Sequence, residues 1–373
     1  MNMLIFIYLC AVALAYALPE GQARNAPAPL SFPFTVAKKI DNISAREFWA
    51  QKRGFKRDSF SERLTNMQDI FYMMNIYLGS NKLKSYVIID TGSSDLWVPS
   101  TDYSANSSTT SQNTDQKFGI QYIDGSITRG DYVLDSFQFE NSPVVPNLQF
   151  AVSDAQGPGV LGIGNRAEEA VRDKYDNLPW ALQKAGITPK ASYSMYLGQD
   201  KDSGVVIFGG VDTEKYEGCL TKYPVHDSGK SLTIEMKSIV VDGTNIDVAS
   251  PYYIDSGTSL CFVGQEIFNL LGKLIESKVV TDNGVDYRVV SCTQPADKYL
   301  QFDFGANTIS ISYADMIVQN DDGSCLLGIA HQDGHQLLGS VFMRSAYVYF
   351  DLTDQTISLG QGKHSDSSNI VSA

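Results

Sequence analysis

Short apolar runs closed by turn residues recur along the chain. Residues 70–78 form one such run, which ends in Gly79-Ser80-Asn81. Asn81-Lys82-Leu83-Lys84 then predicts a hairpin turn into a second run. That run, Tyr86-Val87-Ile88-Ile89, leads into Asp90-Thr91-Gly92-Ser93-Ser94 and out through Asp95-Leu96-Trp97-Val98. The same order of apolar run, acid, hydroxyl residue, glycine and second hydroxyl residue returns later in the chain. There Tyr252-Tyr253-Ile254 leads into Asp255-Ser256-Gly257-Thr258-Ser259 and out through Leu260-Cys261-Phe262-Val263. Each copy is followed much later by an apolar-apolar-Gly step, Val160-Leu161-Gly162 in the first half and Leu337-Leu338-Gly339 in the second. One Asp-hydroxyl-Gly triplet is ordinary turn chemistry. Two copies with matched flanks, 165 residues apart, predict a duplicated lobe with one acid from each half.

Alternating positions on both sides of Asp124-Gly125, over residues 118–130, predict a hairpin with a tight two-residue turn. Residues 101–116, rich in Ser, Thr, Asn and Gln, read as a surface loop. Apolar spacing of three and four residues predicts short helices only at 179–185 and 266–276. The fold class is therefore mostly β. Composition agrees: the 373 residues include 30 Gly, 20 Tyr and 18 Phe, with only 19% charged residues.

Charge narrows the partners. The formal net charge of −13 argues against nucleic acid, which needs clustered Lys and Arg. An acidic surface suits a protein that works where carboxylates are partly protonated, and it equally suits plain solubility. The charge is uneven. Residues 1–57 carry a net +5, leaving −18 on the remainder. Residues 1–17 hold a short apolar stretch and Ala15-Tyr16-Ala17, the pattern of a cleaved secretory signal. The predicted destination is extracellular. No later stretch is long and apolar enough to span a bilayer, and the polar end carries no lipid-anchor signal. Residues 18–57 read as a basic pro-segment ending in Lys52-Arg53 and Lys56-Arg57, candidate sites for a dibasic processing protease. Such an arm could cover an acidic cleft in cis, with Lys38 or Lys39 against Asp90 and Asp255. The expected division is signal 1–17, pro-segment 18–57, lobes 58–213 and 214–360, and tail 361–373. Asn106-Ser107-Ser108 is a glycosylation sequon.

The chemistry follows from the two acids. A carboxylate on a strand-end turn accepts N–H and O–H bonds that fix its direction. Two such groups in hydrogen-bond reach cannot easily both ionise, so they share a proton. One then takes a proton from water while the other protonates a substrate carbonyl. Neither metal nor cofactor enters that reaction. Other chemistries lack their parts. Gly-x-Ser-x-Gly is absent, His331 and His335 sit in a turn-like stretch and read as surface histidines, and Phe208-Gly209-Gly210 lacks the phosphate-loop Lys.

These residues resemble the pepsin-type aspartic proteases, and among them the candidapepsin-like secreted enzymes of yeasts. The resemblance covers residues 67–360 and rests on residues 89–98, Tyr175-Asp176-Asn177-Leu178-Pro179, Phe208-Gly209-Gly210-Val211-Asp212, residues 254–258 and residues 338–344. It implies two β-rich lobes around a cleft, with Asp90 and Asp255 holding the attacking water. Thr91 and Ser256 would brace the turns, and Ser93 and Thr258 would bond the outer carboxylate oxygens. Gly92 and Gly257 would admit the substrate backbone. Tyr122, Ile123, Asp124 and Gly125 would form a flap, with Trp97 beside Tyr122. Ser259 would bond the substrate and Ile88 would line an apolar pocket. The peptide would bind as an extended strand. The resemblance also implies a Cys292–Cys325 disulfide; Cys219 and Cys261 have no assigned partner and read as free buried thiols, with a second bridge as the alternative.

Several positions depart from the family pattern. No cysteine stands between Trp97 and Tyr122, Ile123 replaces a glycine, Pro158 replaces an acid, and Ser340 replaces an acid, which implies a raised pH optimum. The implied protein is a secreted, monomeric aspartic endopeptidase made as a pro-enzyme. The alternatives are a catalytically silent secreted peptide-binding relative and, with less support, a sugar-binding β protein.

Overall fold

In the computed structural model the described residues are 26–37, 39–40, 43–44, 71–122, 126–198, 203–226, 230–282, 284–295, 297–320 and 323–373. The expected signal peptide, Arg53, Arg57, Lys38, the Lys39 side chain, Ile123, Asp124 and Gly125 lie outside them.

The apolar runs become strands. The first is β1 (Leu30–Ala37), followed by β2 (Phe71–Leu78) and β3 (Leu83–Asp90). The β2–β3 hairpin closes with Leu78 opposite Leu83, slightly earlier than the sequence suggests. Gly79 at φ 73° and Lys82 at φ 52° supply the left-handed steps that place the turn there. Next come β4 (Leu96–Pro99), β5 (Gln112–Gln121), β6 (Ile127–Gln138), β7 (Val145–Ser153) and β8 (Gly159–Gly162). β5 and β6 form the expected hairpin arms, with Gln121 opposite Ile127. Helix α1 (Leu178–Lys184) starts at a proline and buries Leu178 and Leu182.

The second half repeats the design. β9 (Ser192–Tyr196), β10 (Ser203–Phe208), β11 (Gly210–Asp212) and β12 (Tyr216–Pro224) lead into β13 (Thr233–Val241) and β14 (Thr244–Ile254). Then come β15 (Cys261–Phe262), α2 (Gln265–Leu274) and β16 (Leu337–Leu338). Helix α3 (Ser340–Met343), β17 (Ala346–Asp351), β18 (Thr356–Gly362) and β19 (Ile370–Ser372) close the chain. A 13-stranded sheet runs from β12 to β5, and a seven-stranded sheet carries the second acid turn. The result is a bilobal, β-rich fold.

The apolar-apolar-Gly steps acquire a physical role. β8 runs parallel to β3, with Gly162 opposite Asp90, and antiparallel to β4. β16 likewise runs parallel to β14 and antiparallel to β15. A Cβ on Gly162 would sit 2.6 Å from the Asp95 nitrogen, and one on Gly339 would sit 2.2 Å from the Leu260 oxygen. Only glycine lets each later strand pass so close under its acid turn.

Both ends of the described residues are tied into the fold. β1 falls within the expected pro-segment, yet it pairs with β10 on one side and β2 on the other. Phe34 is buried, and the Phe32 ring stacks on Phe139 with centroids 4.0 Å apart. At the other end, β19 pairs with β11. Asp212 fixes this tail by accepting from the Asn369 N–H at 2.8 Å and the Ser368 hydroxyl at 2.7 Å.

The Cys292–Cys325 disulfide is present. Cys261 is a buried free thiol, as expected. Cys219 is not buried: it is exposed on β12. An exposed position on an edge strand gives a thiol none of the apolar cover expected for it. His331, read as a surface residue, is buried beside Phe268, with Nδ1 2.9 Å from the Val263 carbonyl oxygen. Among the described residues no helix is long and apolar enough to cross a membrane.

Candidate active site

The two acid turns meet where the halves join. Each carboxyl is held in the same way. Asp90 Oδ1 accepts the Gly92 N–H at 2.8 Å, and Oδ2 accepts the Ser93 hydroxyl. Asp255 Oδ1 accepts the Gly257 N–H at 2.8 Å, and Oδ2 accepts the Thr258 hydroxyl. The spacing within each triplet explains this. A glycine N–H two residues on and a hydroxyl three residues on both reach back to the acid in a tight turn.

Four hydrogen bonds lock the turns together. The Thr91 N–H donates to Ser256 Oγ at 3.1 Å, and the Ser256 N–H donates to Thr91 Oγ1 at 3.0 Å. Thr91 Oγ1 donates to the Ile254 carbonyl at 2.8 Å, and Ser256 Oγ donates to the Ile89 carbonyl at 2.9 Å. Both hydroxyl residues are 2% exposed, so these bonds are shielded from water.

Both carboxyls are also buried, while Gly92 and Gly257 are exposed. The pair therefore opens outward over its glycines. Asp90 is hydrogen-bonded to Asp255, and its pKa is raised. Burial is the main cause, followed by the charge of Asp255. The Ser93 and Gly92 bonds oppose the rise. A neutral carboxyl beside an ionised one holds both a donor and an acceptor in one place, as water activation requires. Among the described residues no three His, Cys, Asp or Glu side chains cluster to hold a metal ion.

Trp97 Nε1 donates to the Tyr122 hydroxyl at 2.7 Å. Tyr122 packs on a small cluster that includes Trp97, Ile88, Phe118 and Val160. Ile88 is thus a packed residue beneath the β5–β6 hairpin. Ser259 lies behind the second turn, where its carbonyl accepts the Val341 N–H at 3.0 Å. Ser340 is buried beside it, with Oγ 3.4 Å from the same carbonyl. Asn106 is exposed in a 3-10 turn.

A polar layer beneath the site was missed by sequence reasoning. Asp95 accepts the Tyr132 hydroxyl at 2.6 Å, the Tyr175 hydroxyl at 2.9 Å and the Ala170 N–H at 2.7 Å. Next to it, buried Glu169 accepts the Tyr175 N–H at 2.8 Å. Glu168 accepts the Tyr253 hydroxyl at 2.7 Å, linking the two halves close to Asp255. Asn177 donates to the Ser94 and Gly164 carbonyls, fixing the first turn from below. Asp95, Tyr175 and Asn177 all stand in quoted motifs, but their partners lie up to 83 residues away.

Burial, and then Asp95, push the Glu169 pKa up from 4.5 to about 8, against the pull of the Tyr175 N–H, Lys174 and Arg166. The folded state therefore favours the protonated acid. This contribution to stability is complete below about pH 4.5 and is lost as pH rises through about 8. Glu169→Gln is expected to reduce the fall in Tm between pH 5 and 8 by several degrees. That corresponds to roughly 1–2 kcal/mol after discounting for solvent screening. An undiminished fall in a thermal-melt series would contradict this assignment.

Comparison with known proteins places this geometry in context. A family profile described as Eukaryotic aspartyl protease matches residues 71–362. The chain is 34% identical to Candidapepsin from Candida tropicalis, over 96% of each chain. It is 33% identical to Secreted aspartic protease 8 from Candida albicans, over 99% of this chain and 97% of that one. Secreted aspartic protease 3 from the same species is 34% identical over 98% of both.

Proposed function

The chain belongs to the eukaryotic aspartyl protease family, and on that basis we propose how its own residues act as an aspartic endopeptidase. The observation that carries the reading is the buried Asp90–Asp255 pair, each carboxyl bonded by a glycine N–H and a hydroxyl of its own turn. Asp90 and Asp255 share one proton and hold a water between them. The ionised carboxyl takes a proton from that water as it attacks the peptide carbonyl, and the neutral one protonates the carbonyl oxygen. Thr91 and Ser256 keep the turns in register. Gly92 and Gly257 admit the extended peptide, with Ser259 bonding its backbone. The Tyr122 hairpin closes over it.

The substrates are proteins and peptides. The protein is secreted, as the names of its Candida relatives say of them. It works as a monomer, with removal of a pro-segment after Arg53 or Arg57 and a glycan on Asn106. Either cut would sever the covalent link between β1 and β2, leaving β1 held by strand pairing and by the packing of Phe32 and Phe34. Uncharged Ser340 supports a pH optimum above that of relatives with an acid there.

The test is fragment mapping by mass spectrometry after incubating processed protein with a denatured protein at acidic pH. Internal cuts are expected. A peptide with a tetrahedral hydroxyl in place of the scissile carbonyl should block them, because it mimics the transition state. No cuts by correctly processed protein would favour the silent peptide-binding relative. A second check concerns the hairpin. Trp97→Phe removes the donor to Tyr122 but keeps an aromatic ring. It is expected to lower kcat/KM about 5–10-fold, near 1 kcal/mol, with folding intact. An unchanged kcat/KM would exclude a role for that bond.

A further inference from the structure

A second recess lies in the first half of the chain, lined by β6 and β7 residues and by α1. It is half-open to solvent with a volume of about 850 Å³, and its lining includes Arg166, Lys174, Lys184, Asp176, Tyr175 and Gln149. Its charge runs against the rest of the protein. The whole chain carries −13, yet three cations and a single carboxylate line this recess.

The carboxylate organises the cations. Asp176 Oδ1 bonds Arg166 Nη1 at 2.8 Å, and Oδ2 bonds Lys184 Nζ at 2.8 Å. The Arg166 guanidinium also lies over the Trp180 ring, 4.1 Å from its centre, which fixes its plane. A guanidinium has five N–H donors and an ammonium three, so one carboxylate leaves most of them for another acceptor. The Lys184 side chain is 77% exposed and that of Arg166 is 44% exposed, so both are reachable from solvent. Lys174 is anchored on the Glu169 carbonyl and brings a third positive charge to the rim. Glu168 and Glu169 do not line the recess: their carboxylates bond the Tyr253 hydroxyl and the Tyr175 N–H, although both lie within electrostatic reach of Lys174 and Glu169 also of Arg166.

We propose that this recess is an exosite for an acidic stretch of polypeptide. A recess of about 850 Å³ holds several residues, far more than one small anion needs. Two cations pinned on one carboxylate and a third on the rim match carboxylates spaced along a chain. The amides of Asn147 and Gln149 in the lining can bond the peptide backbone. The proposal deepens the proteolytic reading, because a segment held here would belong to the substrate being cut. The grip weakens as pH falls through about 4, where Glu and Asp side chains lose their charge. An acidic segment is therefore captured at mildly acidic pH and released at lower pH.

The test uses the processed protein and a fluorescein-labelled Glu-rich octapeptide, with anisotropy measured at pH 6 and low salt. Binding is expected to weaken steeply with added salt and with acidification to pH 3.5. Lys174→Ala/Lys184→Ala, which leaves Arg166 on Trp180, is expected to lower affinity at least tenfold. The same variant should raise KM for a protein with an acidic tract and leave kcat/KM for a short neutral peptide unchanged. No binding by the wild type, or equal binding by the variant, would overturn the exosite. Loss of cleavage of the short peptide by the wild type would instead count against the proteolytic reading, since the binding arm needs no catalysis.

Discussion

Asp255→Asn, and separately Asp90→Asn, is expected to lower kcat by about 10⁴-fold or more while the protein still folds. The amide keeps the shape of the carboxyl, so the Gly257 N–H and the cross-turn bonds of Thr91 and Ser256 survive. The shared proton does not survive. An amide neither accepts a proton from water nor hands one to a carbonyl at these pH values. Binding of a tetrahedral peptide mimic should fall much less than kcat, because the turns and the Tyr122 hairpin remain. Steady-state kinetics beside an inhibitor titration separates the two quantities. A residual kcat within tenfold of the wild type would remove these residues from the chemistry.

Gly92→Ala is the second large effect. The new Cβ would stand 2.6 Å from both Cγ and Oδ1 of Asp255, closer than any real contact allows. Asp255 is clamped by Gly257 and Thr258, so relief requires breaking those bonds or parting the turns. Misplacing a reacting group by about 1 Å costs on the order of 10²-fold, and the pair must hold water between two displaced oxygens. We expect kcat/KM to fall by about 10²–10³-fold, with a lowered Tm because buried hydrogen bonds are broken. Gly257→Ala should match it, since that Cβ meets Asp90 Oδ1 at 2.6 Å. Gly119→Ala is the control, because nothing lies within 4 Å of its Cβ. Full activity in Gly92→Ala would mean that the turns open more easily than their four cross-bonds suggest.

The site was legible because its chemistry is local. In each turn the acid, its N–H donor and its hydroxyl donor fall within four consecutive residues, so one stretch of sequence records the whole clamp. The repeat was legible for the same reason, since Gly162 at the end of β8 and Gly339 just after β16 are demanded by close backbone passage under each turn. What escaped depends on distant pairing. Leu30, Phe32, Phe34 and Val36 alternate with Ser31, Pro33 and Thr35, a strand signal outweighed by the basic character of residues 18–57. Glu168, Glu169 and Tyr132 gained meaning only when folding brought them beside Tyr253 and Asp95. The tail reads only as polar until Asp212 supplies its acceptors. Cys219 illustrates a different limit: an apolar-looking residue type said nothing about exposure.

The most direct test of the shared-proton pair is a pH–rate profile of kcat/KM for one short peptide, from pH 2 to 8, for the processed protein. The account predicts a bell bounded by two apparent pKa values that belong to the pair, with activity lost on both limbs. Asp90→Asn should lie at the baseline throughout. A single-limb profile persisting to pH 8, or a bell retained by Asp90→Asn, would contradict it.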